Sequence, residues 1–271
     1  MPDKRAPIGV FDSGLGGLSV AKEIIRSLPN EDIIYFGDTG RVPYGTKGPD
    51  TIRRYAAEAE RFLLSKGVKM IVAACGTVSS VAPDTGKDLP VPFVEVISHS
   101  VKEAVLKTKT GKICVLATAA TIKSGAHKKL ILEALPDAEV TEVSGSLLVQ
   151  LVEEGFTDKS DPLTIEAVKR YVAPFIENKV DTVILGCTHF PLIAEAISSV
   201  LGESVVLINM GTATAAAVKD ILSNKGLLNE SGGNYRFFVS DKGAEFQKTA
   251  SILLGEKIDE NNVETAVIDT I

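Results

Sequence analysis

The feature that most constrains this chain is an alternation. Short, continuous apolar runs bounded by Gly, Pro or Asp recur along it: "PIGVF", "DIIYFG", "KMIVAAC", "PFVEVI", "KICVLAT", "AEVTEV", "TVILGC", "VVLIN" and "RFFVS". Runs this short and evenly apolar suit strands covered on both faces, as in a parallel sheet. Between them lie segments with apolar residues three and four positions apart, including "GLSVAKEIIRSL", "DTIRRYAAEAERFLLSKG", "SVKEAVLKT", "TIEAVKRYVAPFIENK" and "FPLIAEAISSVLG". That spacing predicts helices that bury one side. The alternation restricts the chain to an α/β fold with parallel strands and right-handed crossovers. At 271 residues and 45% hydrophobic content, the core suffices for one large domain or two smaller ones.

Charge and cysteine use narrow the function classes. The net charge is -6, and no cluster of Lys and Arg exceeds "HKK" at His127 to Lys129, so neither nucleic acid nor an anionic membrane is an expected partner. The apolar runs fall far short of the roughly 20 residues that span a bilayer, and "MPDKRAPIGVFDSG" has no signal-peptide core, so a cytoplasmic location is expected. The 3 cysteines are an odd number and widely spaced. They predict free thiols, with no disulfide framework and no metal site.

Two apolar runs end alike. "MIVAACGTVSS" carries Cys75 and "TVILGCTHFPL" carries Cys187, each in its own half of the chain, whereas Cys114 sits inside "KICVLAT" as a core residue would. Open parallel sheets bind ligands beyond the carboxyl ends of their strands, so two facing sheets would bring both cysteines to one cleft. A cysteine between a strand and a helix meets backbone N–H groups that favour its thiolate below the free value of ~8.5. Two in equivalent places suggest proton carriers acting from opposite sides, which is what inversion at a carbon centre requires. His189, two residues beyond Cys187, reads as an acid/base helper or as a structural imidazole. No further ligand at suitable spacing makes it a metal site.

Other strand ends carry polar groups. Asp12 and Ser13 close the first run, before "GLGGLS", whose glycines predict a tight turn but lack the Lys-Ser/Thr of a P-loop and the GxGxxG spacing. Asp12 either caps the following helix or orients a proton. "FGDTGRVPYGTKG" reads as a turn or as a loop that holds substrate. Thr118 and Thr121, after "KICVLAT", either bind a carboxylate or cap a helix.

Together, "IGVFDSGLGGLSV", "YFGDTGRVPYGTKG", the cysteine segment ending in "VSSVA", "LVEEGF", "LGCTHFPL" and "FFVSDKGAEF" resemble the glutamate racemases of the aspartate/glutamate racemase family over nearly the whole chain. The resemblance implies two pseudo-symmetric parallel-sheet domains with flanking helices and the active site in the cleft between them. Residues 1–97 plus 209–271 would form the first domain and 98–208 the second. It implies cofactor-independent conversion of L-glutamate to D-glutamate for the bacterial wall, in a homodimer. Cys75 would be the base toward D-glutamate and Cys187 the base toward L-glutamate. Asp12 would assist the first thiol and His189 the second, with Glu153 of "LVEEGF" nearby. Ser13, Pro43, Tyr44, Gly45, Gly76, Thr77, Thr118, Thr121 and Thr188 would line the substrate.

Three departures stand out. Gly76 replaces the usual Asn after the first cysteine and removes a substrate-binding amide, His127 stands where Tyr is common, and "VSGSLLV" lacks the usual Cys-Pro. No lysine sits where a Schiff base would form, so removal of a weakly acidic Cα proton must rely on hydrogen bonds to the substrate carboxylate in a closed, dry cleft. Three other readings compete. A racemase for aspartate or another small acidic amino acid would fit the missing amide. A catalytically silent amino-acid-binding module has no use for two thiols, and a Cys-His hydrolase leaves the second strand-end cysteine unexplained.

Overall fold

The computed structural model describes residues 3–243, 246–255, 257–258 and 262–268. Ala244 and Glu245 of "FFVSDKGAEF", and both ends of the expected first domain, lie outside the described residues.

All the apolar runs form strands. Sheet A holds β1 (Ile8–Asp12), β2 (Ile33–Gly37), β3 (Met70–Ala73), β4 (Phe93–Glu95), β9 (Tyr235–Val239) and β10 (Val263–Thr265) in the order β10-β9-β2-β1-β3-β4. Sheet B holds β5 (Lys112–Ala117), β6 (Glu139–Ser144), β7 (Thr182–Gly186) and β8 (Val206–Asn209) in the order β6-β5-β7-β8. Every pairing is parallel, with Ile8 opposite Ile33 and Met70 in sheet A and Ile113 opposite Thr182 in sheet B. The run β2-β1-β3-β4 and the run β6-β5-β7-β8 share one topology. Cys75, after β3, and Cys187, after β7, therefore occupy equivalent places. β9 and β10 extend the first sheet only, because the chain returns to it after the second. β10 has the sequence Val-Glu-Thr, too short and polar to register as an apolar run.

β1, β2 and β7 are buried along their whole length, as their unbroken apolar sequences require. Full burial of each such Val, Ile or Leu stabilises the fold by about 1.5–3 kcal/mol. One core joins the sheets: Ile8 and Val10 of β1 belong to the same cluster as Ile113 and Val115 of β5. Helices α1 (Leu18–Ser27), α4 (Val96–Lys107) and α10 (Met210–Asn224) contribute Ile24, Val101 and Val218 to it. The outer face of sheet A packs on α2 (Pro49–Ser65), and that of sheet B on α7 (Ser146–Glu153), α8 (Pro162–Glu177) and α9 (Ala194–Leu201).

Two helix starts differ from the periodic pattern. α4 begins before "SVKEAVLKT", because the Glu95 carboxylate accepts from the Ile97 and Ser98 amides and caps it there. "FPLIAEAISSVLG" is not one helix: Phe190–Ile193 form a 3-10 turn around Pro191, which has no N–H to donate, and α9 starts at Ala194. Short helices α3 (Gly76–Val81), α5 (Ala119–Ser124) and α6 (Ala126–Ala134) follow the strand ends that matter below.

Candidate active site

The carboxyl ends of β1, β3, β5 and β7 converge. A Cβ built on Gly76 would lie 3.2 Å from the Gly186 carbonyl and 3.7 Å from Thr121 Oγ1, so the Cys75–Gly76 turn rests directly against the end of β7. Gly45, in the polar loop after β2, similarly faces Ala120 of α5. All three cysteines are free and buried.

Cys75 is the N-cap residue of α3, in extended conformation. Its Sγ is 3.5 Å from Ser13 Oγ and interacts with the Asp12 carboxyl. Its thiol is pushed up to about 12, first by burial and then by the Asp12 charge, against the pull of Ser13 and the Val78 and Ser13 amides. This corrects the expectation of a favoured thiolate: the N-terminal amides of α3 do act on the sulfur, but burial beside a carboxyl outweighs them. Asp12 is itself raised, chiefly by burial, and opposed by the Gly17 and Gly14 amides and the His189 charge. It does not cap α1, whose N-cap is Gly17; its Oδ2 accepts from Gly14 N at 3.0 Å instead.

The glycines after Asp12 serve close approach. A Cβ on Gly17 would fall 2.5 Å from Asp12 Cβ, and one on Gly16 would collide with Thr188 Oγ1 and lie 2.6 Å from His189 Cε1. Neither glycine has the positive φ that would demand one for conformation alone. Thus the "GLGGLS" turn seats the opposite half of the cleft.

Around Cys187 the partners differ. Its Sγ lies 3.6 Å from His189 Nδ1, and His189 Nε2 lies 3.1 Å from Glu153 Oε1 at the end of α7. Burial alone would depress the imidazole, but hydrogen bonds and charge from Cys187 and Glu153 raise it to about 10. Thr188 Oγ1 is 3.4 Å from the same Nδ1. Cys187 and His189 are buried, whereas the Glu153 side chain is 48% exposed, so the line sulfur–imidazole–carboxylate runs out to solvent.

The remaining candidates divide. Thr77 is buried in the first turn of α3. Thr118 caps α5 by accepting from Thr121 N, and the two hydroxyls are 3.0 Å apart, so the helix-cap reading describes this pair. Pro43, preceded by a cis peptide bond, and Gly45 are exposed. The Tyr44 ring is turned into the core, where its hydroxyl donates to Asp38. Asp38 also accepts from Arg41 Nε at 2.6 Å, and Arg41 pairs with Glu58, which anchors this loop from behind. That anchor was invisible in the sequence, because its members are joined only by packing. His127 is fully buried in α6 and pushed down to about 4 by burial. Among the described residues, no three His, Cys, Asp or Glu side chains are grouped to hold a metal ion, and no helix is long and apolar enough to cross a membrane.

Two like parallel-sheet units meeting at their carboxyl ends around two unbridged thiols define the class: an α/β protein with a two-cysteine cleft. The chain belongs to the Asp/Glu/Hydantoin racemase family, whose model matches residues 8–218. It is 42% identical to the glutamate racemase of Geobacter metallireducens over 254 residues, 93% of each chain. Its fold matches glutamate racemase from Francisella tularensis in complex with D-glutamate, with a TM-score of 0.90 and 36% identity over 99% of this chain and 100% of that one. The glutamate racemase of Thermus thermophilus in complex with beta-chloro-D-alanine matches with a TM-score of 0.87 and 39% identity, covering 97% and 98% of the two chains.

Proposed function

We propose that this chain interconverts L- and D-glutamate by proton transfer at Cα between Cys75 and Cys187, with no cofactor. Kinship with glutamate racemases supports the substrate, and one observation supports the chemistry: the two thiols sit at equivalent strand ends with unlike partners. Cys75 rests as a thiol, held at about 12, ready to donate. Cys187 lies beside an imidazole held protonated up to about 10, a cation that stabilises negative charge on the sulfur and so suits it to act as the base.

The resting cleft is therefore set for L-glutamate. The Cys187 sulfur takes the Cα proton, charge spreads into the substrate carboxylate, and the Cys75 thiol delivers a proton to the opposite face. D-glutamate leaves, a solvent proton relayed through the Asp12 carboxylate restores the Cys75 thiol, and His189 gives its proton to solvent by way of Glu153 and takes in its place the one Cys187 has gained. Backbone groups of Ser13, Gly76, Thr77 and Thr188 are the donors we assign to the carboxylates, with Pro43, Tyr44, Gly45, Thr118 and Thr121 completing the lining. At Gly76 the peptide itself replaces the usual amide side chain.

We further assign residues 1–97 plus 209–271 to one domain and 98–208 to the other, a homodimeric assembly, a cytoplasmic location and a role in supplying D-glutamate for peptidoglycan. Incubation with L-glutamate in deuterated water, without added cofactor, tests the reaction. D-glutamate carrying deuterium at Cα is expected. Absence of both exchange and inversion, on glutamate and on aspartate, would overturn the reading, and faster turnover of aspartate would replace the substrate.

A further inference from the structure

The Ser19 hydroxyl, on the buried face of α1, donates to the Thr188 carbonyl at 2.6 Å. This is a bond between the two halves of the molecule: α1 follows β1 of sheet A, and Thr188 follows β7 of sheet B. Ser19 is a polar residue amid the buried Leu18, Val20, Ala21 and Ile24. The bond holds the peptide that links Cys187 to His189, because Thr188 stands between them. One turn earlier, Gly16 abuts the imidazole itself, with its would-be Cβ 2.6 Å from Cε1 and 3.0 Å from Nδ1, the edge that faces the Cys187 sulfur.

We infer that Ser19 is a positioning residue: from the first sheet's helix it clamps the Thr188 peptide and so sets the distance between Cys187 and His189. The sulfur-to-imidazole contact is 3.6 Å, long enough that a small shift separates the groups. Two features of the clamp are complementary. Ser19 pulls the loop toward α1 through its carbonyl, and Gly16 leaves room for the ring that this pull brings in. The geometry of the second thiol is therefore governed by a helix outside the sheet that carries it. The inference rests on the racemase reading for its kinetic consequence, though not for its structural one.

The test uses full-length protein labelled at histidine. The chain has only 3 histidines. His127 is pushed down to about 4 and His189 up to about 10, so their titrations separate, and His189→Gln assigns the signal. Ser19→Ala is expected to lower kcat about tenfold while KM stays within about twofold, since misplacing a reacting group costs rate more than binding. Its His189 midpoint should fall by about one pH unit or more toward the ordinary imidazole range as the contacts that raise it lengthen. Ser19→Thr, which keeps the hydroxyl, should restore both. Gly16→Ala, which pushes the same loop without touching Ser19, should lower the midpoint as well and serves if Ser19→Ala does not fold. A wild-type His189 titration in a folded Ser19→Ala variant overturns the inference, and so does one in Gly16→Ala where Ser19→Ala does not fold. So does a loss of kcat that leaves the titration unmoved and that Ser19→Thr does not repair. If the wild type racemises neither glutamate nor aspartate, the functional reading fails, and the titrations alone decide the role of Ser19.

Discussion

The Cys75 end of the cleft and the Cys187 end stand on the same four-strand frame, yet they surround their sulfurs with groups of opposite character. Cys75 faces a carboxyl, Asp12, in a pocket closed further by Tyr35, whose hydroxyl donates to the Gly14 carbonyl at 2.8 Å. Cys187 faces an imidazole that favours its proton, backed by a carboxylate half open to water. A carboxylate beside a buried thiol keeps the proton on sulfur, and an imidazolium beside a sulfur favours its thiolate. Duplicated frames thus surround equivalent sulfurs with unlike groups when the loops after equivalent strands differ. The proposed reaction needs one sulfur to accept a proton while the other donates one, and unlike surroundings suit the pair to those roles.

The largest effect that can break this comparison comes from the sulfurs. Cys75→Ala and Cys187→Ala should each lower racemisation by about 10⁴-fold, the upper range for an acid or base acting in the transition state. Their residual activities should differ in kind. Cys75→Ala keeps the base assigned to L-glutamate and should still exchange that enantiomer's Cα proton with deuterated solvent, whereas Cys187→Ala should exchange only D-glutamate. Proton NMR of each enantiomer in deuterated water checks it. Equal exchange of both enantiomers by one variant would show that the sulfurs are not assigned to opposite faces.

Next come the partners. Asp12→Asn and His189→Asn should each lower kcat by about 10²-fold, because they perturb the carriers without removing them. The equilibrium constant between enantiomers is one by symmetry, so each variant's kcat/KM must fall equally in both directions. The asymmetry shows elsewhere: His189→Asn should raise the Cα-deuterium isotope effect with L-glutamate, and Asp12→Asn with D-glutamate. A variant that raises both equally would place its residue on the shared carboxylate contacts.

The pH dependence of stability separates the halves more gently. His189 is raised from an ordinary 6.5 to about 10, so its stabilising contribution is complete below pH 6.5 and is lost as pH climbs through 10. Cys75, raised from 9.0 to about 12, contributes in the same direction but only above pH 9. Urea midpoints measured from pH 6 to 9 should therefore decline in the wild type and run flatter in His189→Gln. An unchanged slope in that variant would remove the imidazolium from the account of the second half.

How much of this was legible in the sequence follows from what each element depends on. Strands such as β1 and β7 could be read because both faces are buried and every residue reports it. β10 could not, being an edge strand of three residues without an apolar run. Cys75, Cys187, Asp12 and Ser13 stood out because a polar group at the end of an apolar run is a local signal. Glu153 entered only through the family resemblance, since nothing local ties the end of α7 to His189. Ser19 and the Arg41–Glu58 pair were not legible, because a buried polar group finds its partner only in three dimensions. The raised thiol of Cys75 was misjudged for a related reason: the sequence shows the helix start that lowers it but not the burial that raises it.

The smallest effect bears on the outlet of the second half. Glu153 is half exposed, and a pair so open to solvent is worth about 0.2–1 kcal/mol, so Glu153→Gln should lower kcat only about twofold to fivefold. Its more telling consequence is on His189, whose midpoint should fall below about 10 but stay above 6.5, because the Cys187 contact remains. Glutamine keeps a hydrogen-bond acceptor for Nε2 while removing the charge, so the variant separates orientation from electrostatics. A fall to the ordinary imidazole value would mean that the carboxylate, not the sulfur, sustains the imidazolium. The second thiol would then be governed from the solvent side, and the contrast between a closed carboxyl end and an open imidazole end would become a contrast between two carboxylates, one buried and one wet.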